Sequence, residues 1–398
     1  MPKPPTPIFA IALAAVTMIG PLSIHLFLPA LPQVKAAFAI SDGLAQFTFS
    51  LTLLTMAGTT LVYGALSDRY GRRPVLLGGL VLFVIGVFLA LIAPTIGLFI
   101  AGRLFQAVGA GCGVALARAI ARDAYGPERL VQAIAYLTMA YTLGPMIAPP
   151  LGGLLTDSFG WRSIFWLALA AGLVILVCAY VTLHETLPSG ARTTAGGGGV
   201  LRGFAKLLRQ PLFVAFVLQS GFSSGTFFAL ASAATFLMTE YLGRPATEFG
   251  LYFLLFATGY CFGNWMSSRL SGRVRIEHMV LAGSIMLAVV IAAMVTIVLS
   301  GVLVPLVLFI PGCLISVAQG LALPNAQAGA IRTAPELAGT AAGIGVFLQL
   351  FCGAVFSQLH GLFADGTPRP MLVIVSIAAA LTLTCGIAAY RLSLAKRR

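Results

Sequence analysis

The run Gly64-Ala-Leu-Ser-Asp68-Arg69-Tyr-Gly71-Arg72-Arg73-Pro74 sets one carboxylate among three guanidinium groups. An anion in that company can pair with Arg or accept hydrogen bonds from a helix N-terminus. Gly71 supplies a tight turn, and Gly64 permits helices to approach closely. Such a cluster can latch two helical bodies in one state and release them in another. The other reading is a solvated loop whose cations only set topology. A second site is Arg103-Leu-Phe-Gln106-Ala-Val-Gly109, where a cation interrupts an apolar run. Facing lipid would cost that Arg at least about 2.5 kcal/mol, so it is expected to face protein or a water-filled cavity, unless it snorkels to the surface. Gln106 lies almost one helical turn on and shares its face. No HExxH, Asp-rich run or Walker loop is present, and the four histidines, His25, His184, His278 and His360, are scattered. The six cysteines lie in apolar runs with no zinc or CxxC spacing and read as packing residues. No catalytic residue, metal site or cofactor is therefore expected, and the chain is not an enzyme.

These groups are carried by an unusually apolar chain. Of 398 residues 59% are hydrophobic and 9% charged, where a soluble domain carries about 25% charge. Mean hydropathy is +0.99. Soluble enzymes, disordered chains and nucleic-acid modules are excluded. The net charge of +13, from 24 Lys and Arg against 11 Asp and Glu, points instead to lipid headgroups and the positive-inside rule. A spanning helix needs roughly 20 apolar residues. Twelve are predicted, over 8–30, 44–66, 75–94, 97–119, 130–155, 162–183, 211–238, 248–267, 278–300, 303–328, 337–362 and 369–391. The long, non-alternating runs are helices and not barrel strands. The first exceeds a signal-peptide core of about 7–15 residues and reads as a retained span. The longest polar interruption holds Gly196 to Gly199 with Arg192, Arg202, Lys206 and Arg209, and reads as a flexible basic linker. It divides the chain into a six-helix half over 1–184, a cytoplasmic linker over 185–210 and a second six-helix half over 211–398. Nearly all cations then fall on one side, with Lys35, Arg162, Arg244 and Arg369 on the other, so both termini are expected in the cytoplasm. Ser67, Gly71 and Arg72 recur as Ser268, Gly272 and Arg273, each set following the second helix of its half, which suggests a duplicated unit.

The Gly64 to Arg73 run resembles the loop 2–3 signature of the major facilitator superfamily, matched at Gly64, Asp68, Arg69, Gly71, Arg72 and Arg73. Arg103 to Gly109 resembles the span-four motif of its antiporters. Leu143-Gly144-Pro145-Met-Ile-Ala-Pro149-Pro150-Leu-Gly152-Gly153 resembles the span-five motif of drug:proton antiporters. Pro29-Ala-Leu-Pro32, Arg118-Ala-Ile-Ala-Arg122-Asp123 and Glu185-Thr-Leu-Pro188 are similar to the Bcr/CflA subgroup of drug exporters. The resemblance covers essentially the whole chain. It implies an all-α integral membrane fold of two pseudo-symmetric six-helix halves, and a latch at Gly64, Asp68, Arg69, Gly71, Arg72, Arg118 and Asp123. It also implies an interface hinge at Gly144, Pro145, Pro149, Gly152 and Gly153, and a cavity lined by spans one, four, seven and ten.

One departure matters. Where the subgroup carries an acid four positions before Pro29, this chain has His25. An acid would pair with Arg103; a charged imidazole would repel it. Any contact is expected to keep His25 neutral and accepting a hydrogen bond from Arg103. Histidine can still titrate near neutral pH, so His25, Arg103 and Gln106 are the candidates for proton coupling or cavity charge, with a plain cavity-wall role for His25 as the alternative. The expected substrate wall is Phe27, Tyr141, Met146, Gln219, Phe222, Phe227, Phe228, Gln319 and Asn325. An apolar pocket with a few amides suits uncharged or zwitterionic amphipathic compounds. The resemblance implies a monomeric multidrug exporter in the bacterial inner membrane, working by alternating access and coupled to proton influx. Its partners are a small-molecule substrate, protons and membrane lipid, with no nucleic acid. Export of an endogenous metabolite, such as an amino acid or antibiotic intermediate, is the alternative.

Overall fold

The computed structural model describes residues 7–187 and 198–395. Pro188, Arg192, Gly196, Gly197 and the terminal Lys396, Arg397 and Arg398 lie outside them. Among the described residues the chain is helical, with no strand. Helices α1 (Pro7–His25), α2 (Leu31–Phe38), α3 (Asp42–Tyr70), α4 (Arg72–Ile92), α5 (Ile96–Ala110), α6 (Cys112–Phe159) and α7 (Arg162–Thr182) come first. They are followed by α8 (Gly198–Leu208), α9 (Pro211–Phe236), α10 (Ala246–Leu270), α11 (Ile276–Leu299), α12 (Pro305–Thr333), α13 (Ala338–Phe363) and α14 (Arg369–Ala395). The ends follow local chemistry. Thr95 Oγ1 accepts from the Leu98 amide to start α5. Pro211 and Pro305 open α9 and α12, where a missing N–H costs nothing.

Three boundaries differ from the sequence reading. The first expected span stops at His25, then makes a 3-10 turn over Leu28–Ala30 before α2. Pro29 and Pro32 deny the backbone donors that a continuous helix needs. The fourth breaks at Gly111, and its second half runs on as α6 through the expected loop before span five. A Cβ at Gly113 would lie 2.6 Å from the Val16 carbonyl, and one at Gly152 2.5 Å from that of Leu26. Those contacts are about 15 Å apart along α1, whereas a straight helix from 113 to 152 would run about 58 Å. The helical run therefore doubles back. The expected flexible linker also contains α8, whose Leu207 is fully buried in an apolar cluster with Phe213, Phe216, Ala330 and Ile344. Lys206 pairs with Glu336 there at 2.9 Å.

Among the described residues, ten helical runs are long and apolar enough to cross a membrane. The expected spans at 130–155 and 248–267 are helical within α6 and α10 but fall outside those ten. Side chains such as Gln132, Thr138 and Thr142, or Asn264, Ser267 and Ser268, dilute their hydropathy. The contacts divide the chain into two compact units. The first holds residues 1–39 and 51–196; the second holds 40–50 and 197–398. The first turns of α3 thus cluster with the second unit and the rest with the first.

Candidate functional site

In the first unit, Arg72 is the centre of a charged cluster at the junction of α3 and α4. Its guanidinium is almost fully buried and pairs with Asp68 at 2.5 Å and with Asp123 of α6 at 3.0 Å. It also donates to Ser67 Oγ at 2.6 Å. The Arg72 and Arg73 amides, at the exposed start of α4, donate to the two oxygens of Glu185 at 3.0 and 3.3 Å. A carboxylate there satisfies amides without an intrahelical partner and meets the positive end of the helix. Arg73 reaches back to the Tyr180 carbonyl at 2.8 Å. Gly71 makes the corner possible, since its φ of 102° would strain any other residue. Side chains from α3, α4, α6 and the segment after α7 are thereby tied into one ion-paired knot.

Several expected latch members are not in it. Arg69 is exposed and lies over the Tyr70 ring at 5.2 Å. Arg118 is also exposed. Gly64 makes no close approach, because a Cβ there would meet nothing within 4 Å. Glu185 joins the cluster without being among the expected latch residues, although its run stands in the sequence as a motif; only folding brings it to α4. The repeat in the second unit keeps the turn but not a counterpart of the Asp68–Arg72 pair. Gly272 has φ 79°, but Arg269 stands in the place corresponding to Asp68, and Arg273 is exposed.

Arg103 and Gln106 occupy a second site, also inside the first unit. Arg103 is 1% exposed. Its Nη1 donates to Gln106 Oε1 at 2.7 Å and its Nη2 to the Ser23 carbonyl of α1 at 3.5 Å. The guanidinium lies over the Phe27 ring at 4.1 Å and near that of Phe165 at 5.9 Å. The positive charge is thus solvated by one amide oxygen, one carbonyl and two aromatic faces, each cation–π contact contributing about 0.5–2 kcal/mol. The α1 residue that takes its hydrogen bond is Ser23, two positions before His25, which is buried at the end of α1. Phe99, Phe165 and Trp161 continue the aromatic wall through edge-on contacts of 5.5–5.9 Å. Close backbone packing holds α5 in register. A Cβ at Gly102 would lie 2.5 Å from the Ala90 amide of α4, and one at Gly109 2.3 Å from that of Phe83.

The glycine- and proline-rich stretch of α6 packs on α1 within the same unit. A Cβ at Gly144 would lie 2.4 Å from Pro21 Cβ. Gly152 meets Leu26 as described above, with Pro149 and Gly153 buried and Pro145 half-buried alongside. Of the expected substrate wall, Phe27 is the residue whose ring lies 4.1 Å from the Arg103 guanidinium carbon. Met146 is half-buried and Tyr141 exposed.

The remaining wall residues lie in the second unit, where the amides tie helices together. Gln219 donates to Ser284 of α11 at 3.1 Å, and Gln319 to the Ser223 carbonyl of α9 at 2.6 Å. Asn325 donates to Ser267 of α10 at 2.8 Å. Phe227 packs edge-on against Phe228, Phe253 and Phe256, and Phe222 against Phe356.

The sequence matches the family described as Major Facilitator Superfamily over residues 13–357. It is 26% identical over 395 residues to a bicyclomycin resistance protein homolog of Haemophilus influenzae, covering 95% of this chain and 96% of that protein. It is also 26% identical to multidrug resistance protein D of Escherichia coli K12, covering 94% of this chain and 93% of that one. Among solved structures, a bacterial homolog of the human lysosomal transporter Spinster superposes with a TM-score of 0.74 at 17% identity over 96% of this chain and 97% of that one. A D-xylose–proton symporter gives 0.76 at 14% identity over 97% and 98%. At those identities the structural likeness speaks for the fold alone.

Proposed function

The chain belongs to the major facilitator superfamily, as a multi-pass membrane transporter and not an enzyme, and from that premise we propose that it exports small amphipathic compounds, antibiotics among them, by alternating access. The observation that carries this reading is the end-to-end similarity to resistance proteins, over 95% and 94% of the chain. The buried cation at Arg103, beside the Phe27 and Phe165 rings, supports it. In this reading the protein is a monomer in a bacterial inner membrane with both termini in the cytoplasm. The Arg72 cluster, with Asp68 and Asp123, is its conformational latch, and the Gly144 to Gly153 stretch its hinge. Phe227, Phe228, Gln319 and Asn325 belong to its substrate wall. Export is coupled to proton influx, with His25, Arg103 and Gln106 as the site of coupling or cavity charge and His25 in place of the acid that its subgroup carries.

The test is expression in an efflux-deficient bacterium. Raised tolerance to several unrelated antibiotics is expected. No gain against any antibiotic, with a metabolite accumulating in the medium, would replace drug export by metabolite export. Coupling is tested separately, in membrane vesicles with an imposed pH gradient. Export that ignores the gradient removes the proton step, while export that rises in His25→Asp identifies His25 as the site lacking its acid.

A further inference from the structure

Arg103 is the most deeply buried charge described in the first unit, and no carboxylate among the described residues pairs with it. A guanidinium has five N–H donors. Two hydrogen bonds are made, one of them long at 3.5 Å, and Nε, buried, has no partner. The guanidinium carbon lies 4.1 Å from the centre of the Phe27 ring. A carboxylate engages guanidinium donors two at a time. Three acids of the same unit are committed elsewhere. Asp68 and Asp123 pair with Arg72, and Glu185 accepts from the first amides of α4. A buried charge with an unpartnered Nε and no counter-ion among the described residues attracts an anion and repels a cation.

We propose that Arg103 is the anion-recognising residue of the transported compound, and that the preferred cargo is an amphipathic carboxylic acid. The cargo's carboxylate takes the Nε donor of Arg103 that the described residues leave unpartnered. The cargo supplies the counter-ion that the described residues do not. This assignment rests on the export reading above and narrows it from amphipathic compounds in general to organic anions. Gln106 then acts as a positioning residue, because its Oε1 holds Nη1 and so fixes the plane of the guanidinium toward the ligand.

The test uses the full-length purified protein and matched pairs of probes that differ only in charge: 1-naphthylacetate with 1-naphthylacetamide, and 4-phenylbutyrate with 4-phenylbutyramide. Binding of each to the protein in detergent is measured by calorimetry. The acid of at least one pair is expected to bind at least about tenfold more tightly than its amide, the discrimination of a charge-assisted bidentate pair. Arg103→Gln should bring the ratio near one, and Arg103→Lys should restore part of it, with elution volume on gel filtration reporting fold in each case. A structural role alone would weaken both members of a pair equally and leave the ratio unchanged. No acid preferred over its amide by the parent protein, or a preference that survives Arg103→Gln, overturns the proposal. Failure of export itself is distinguished by efflux of the uncharged dye Nile red from cells. If the dye is exported while acids and amides bind alike, the anion assignment falls and the exporter reading stands.

Discussion

Replacing Arg72 by Met should destabilise the first unit more than any single acid substitution around it. The guanidinium is 4% exposed; its partner Asp123 is 16% exposed and Asp68 is 46% exposed. Breaking a buried pair from one side costs about 3–5 kcal/mol, because the other charge is left desolvated. The half-exposed Asp68 pair contributes no more than about 1 kcal/mol, since water screens it. Removing Arg72 strands Asp123, whose other cation, Arg122, is exposed and 3.7 Å away. A loss of about 3 kcal/mol follows, which in a domain of this size lowers the melting temperature by about 6–12 °C. Asp68→Asn should move it by less than about 4 °C. Cys112 offers the assay. It is a free thiol, fully buried at the start of α6 in the first unit. With the other five cysteines changed to Ala, a thiol-reactive dye reports the unfolding of that unit alone as the protein is heated in detergent. An Arg72→Met melting temperature within about 2 °C of its parent would refute the reasoning, as would a larger loss in Asp68→Asn.

Two further outcomes follow from the same structure. Asp68→Asn should sharply reduce transport in vesicles while expression and melting temperature stay near those of the parent, and normal transport would remove Asp68 from the latch. Gly109→Ala should lower the melting temperature by several degrees, because its Cβ would collide with the Phe83 backbone at 2.3 Å, whereas Gly64→Ala should leave it unchanged or slightly raised. Equal effects of the two would show that α5 does not depend on close contact with α4.

Much of the fold was legible in the chain because the bilayer restricts the choices. Uninterrupted apolar runs in so poorly charged a chain must be helices, and the Gly71 and Gly272 turns were visible as a repeat before either φ angle was known. Gly109 stood in the sequence as the end of the span-four motif, but nothing marked Gly102 or α4 as the surface it would pack on. Continuous helix through the expected loop of α6 was not legible, since its polar residues read equally as a loop or as a solvated helical turn. Neither was α8, whose glycine-rich start hides a helix anchored by Leu207.

The sequence by itself determined what kind of molecule this is: a membrane transporter of twelve helical passes with one cation, Arg103, that the membrane obliges to find a polar or aromatic neighbour. Tertiary structure decided what those neighbours are. It gave Arg103 an amide, a carbonyl and two rings in place of an acid, and it gave Arg72 the carboxylates of Asp68 and Asp123, with Glu185 on the amides beside it. The physical reason is range. Hydropathy and turn chemistry act between residues close along the chain, whereas pairing is settled by groups 51 or 113 positions apart, which only packing brings within a few ångströms.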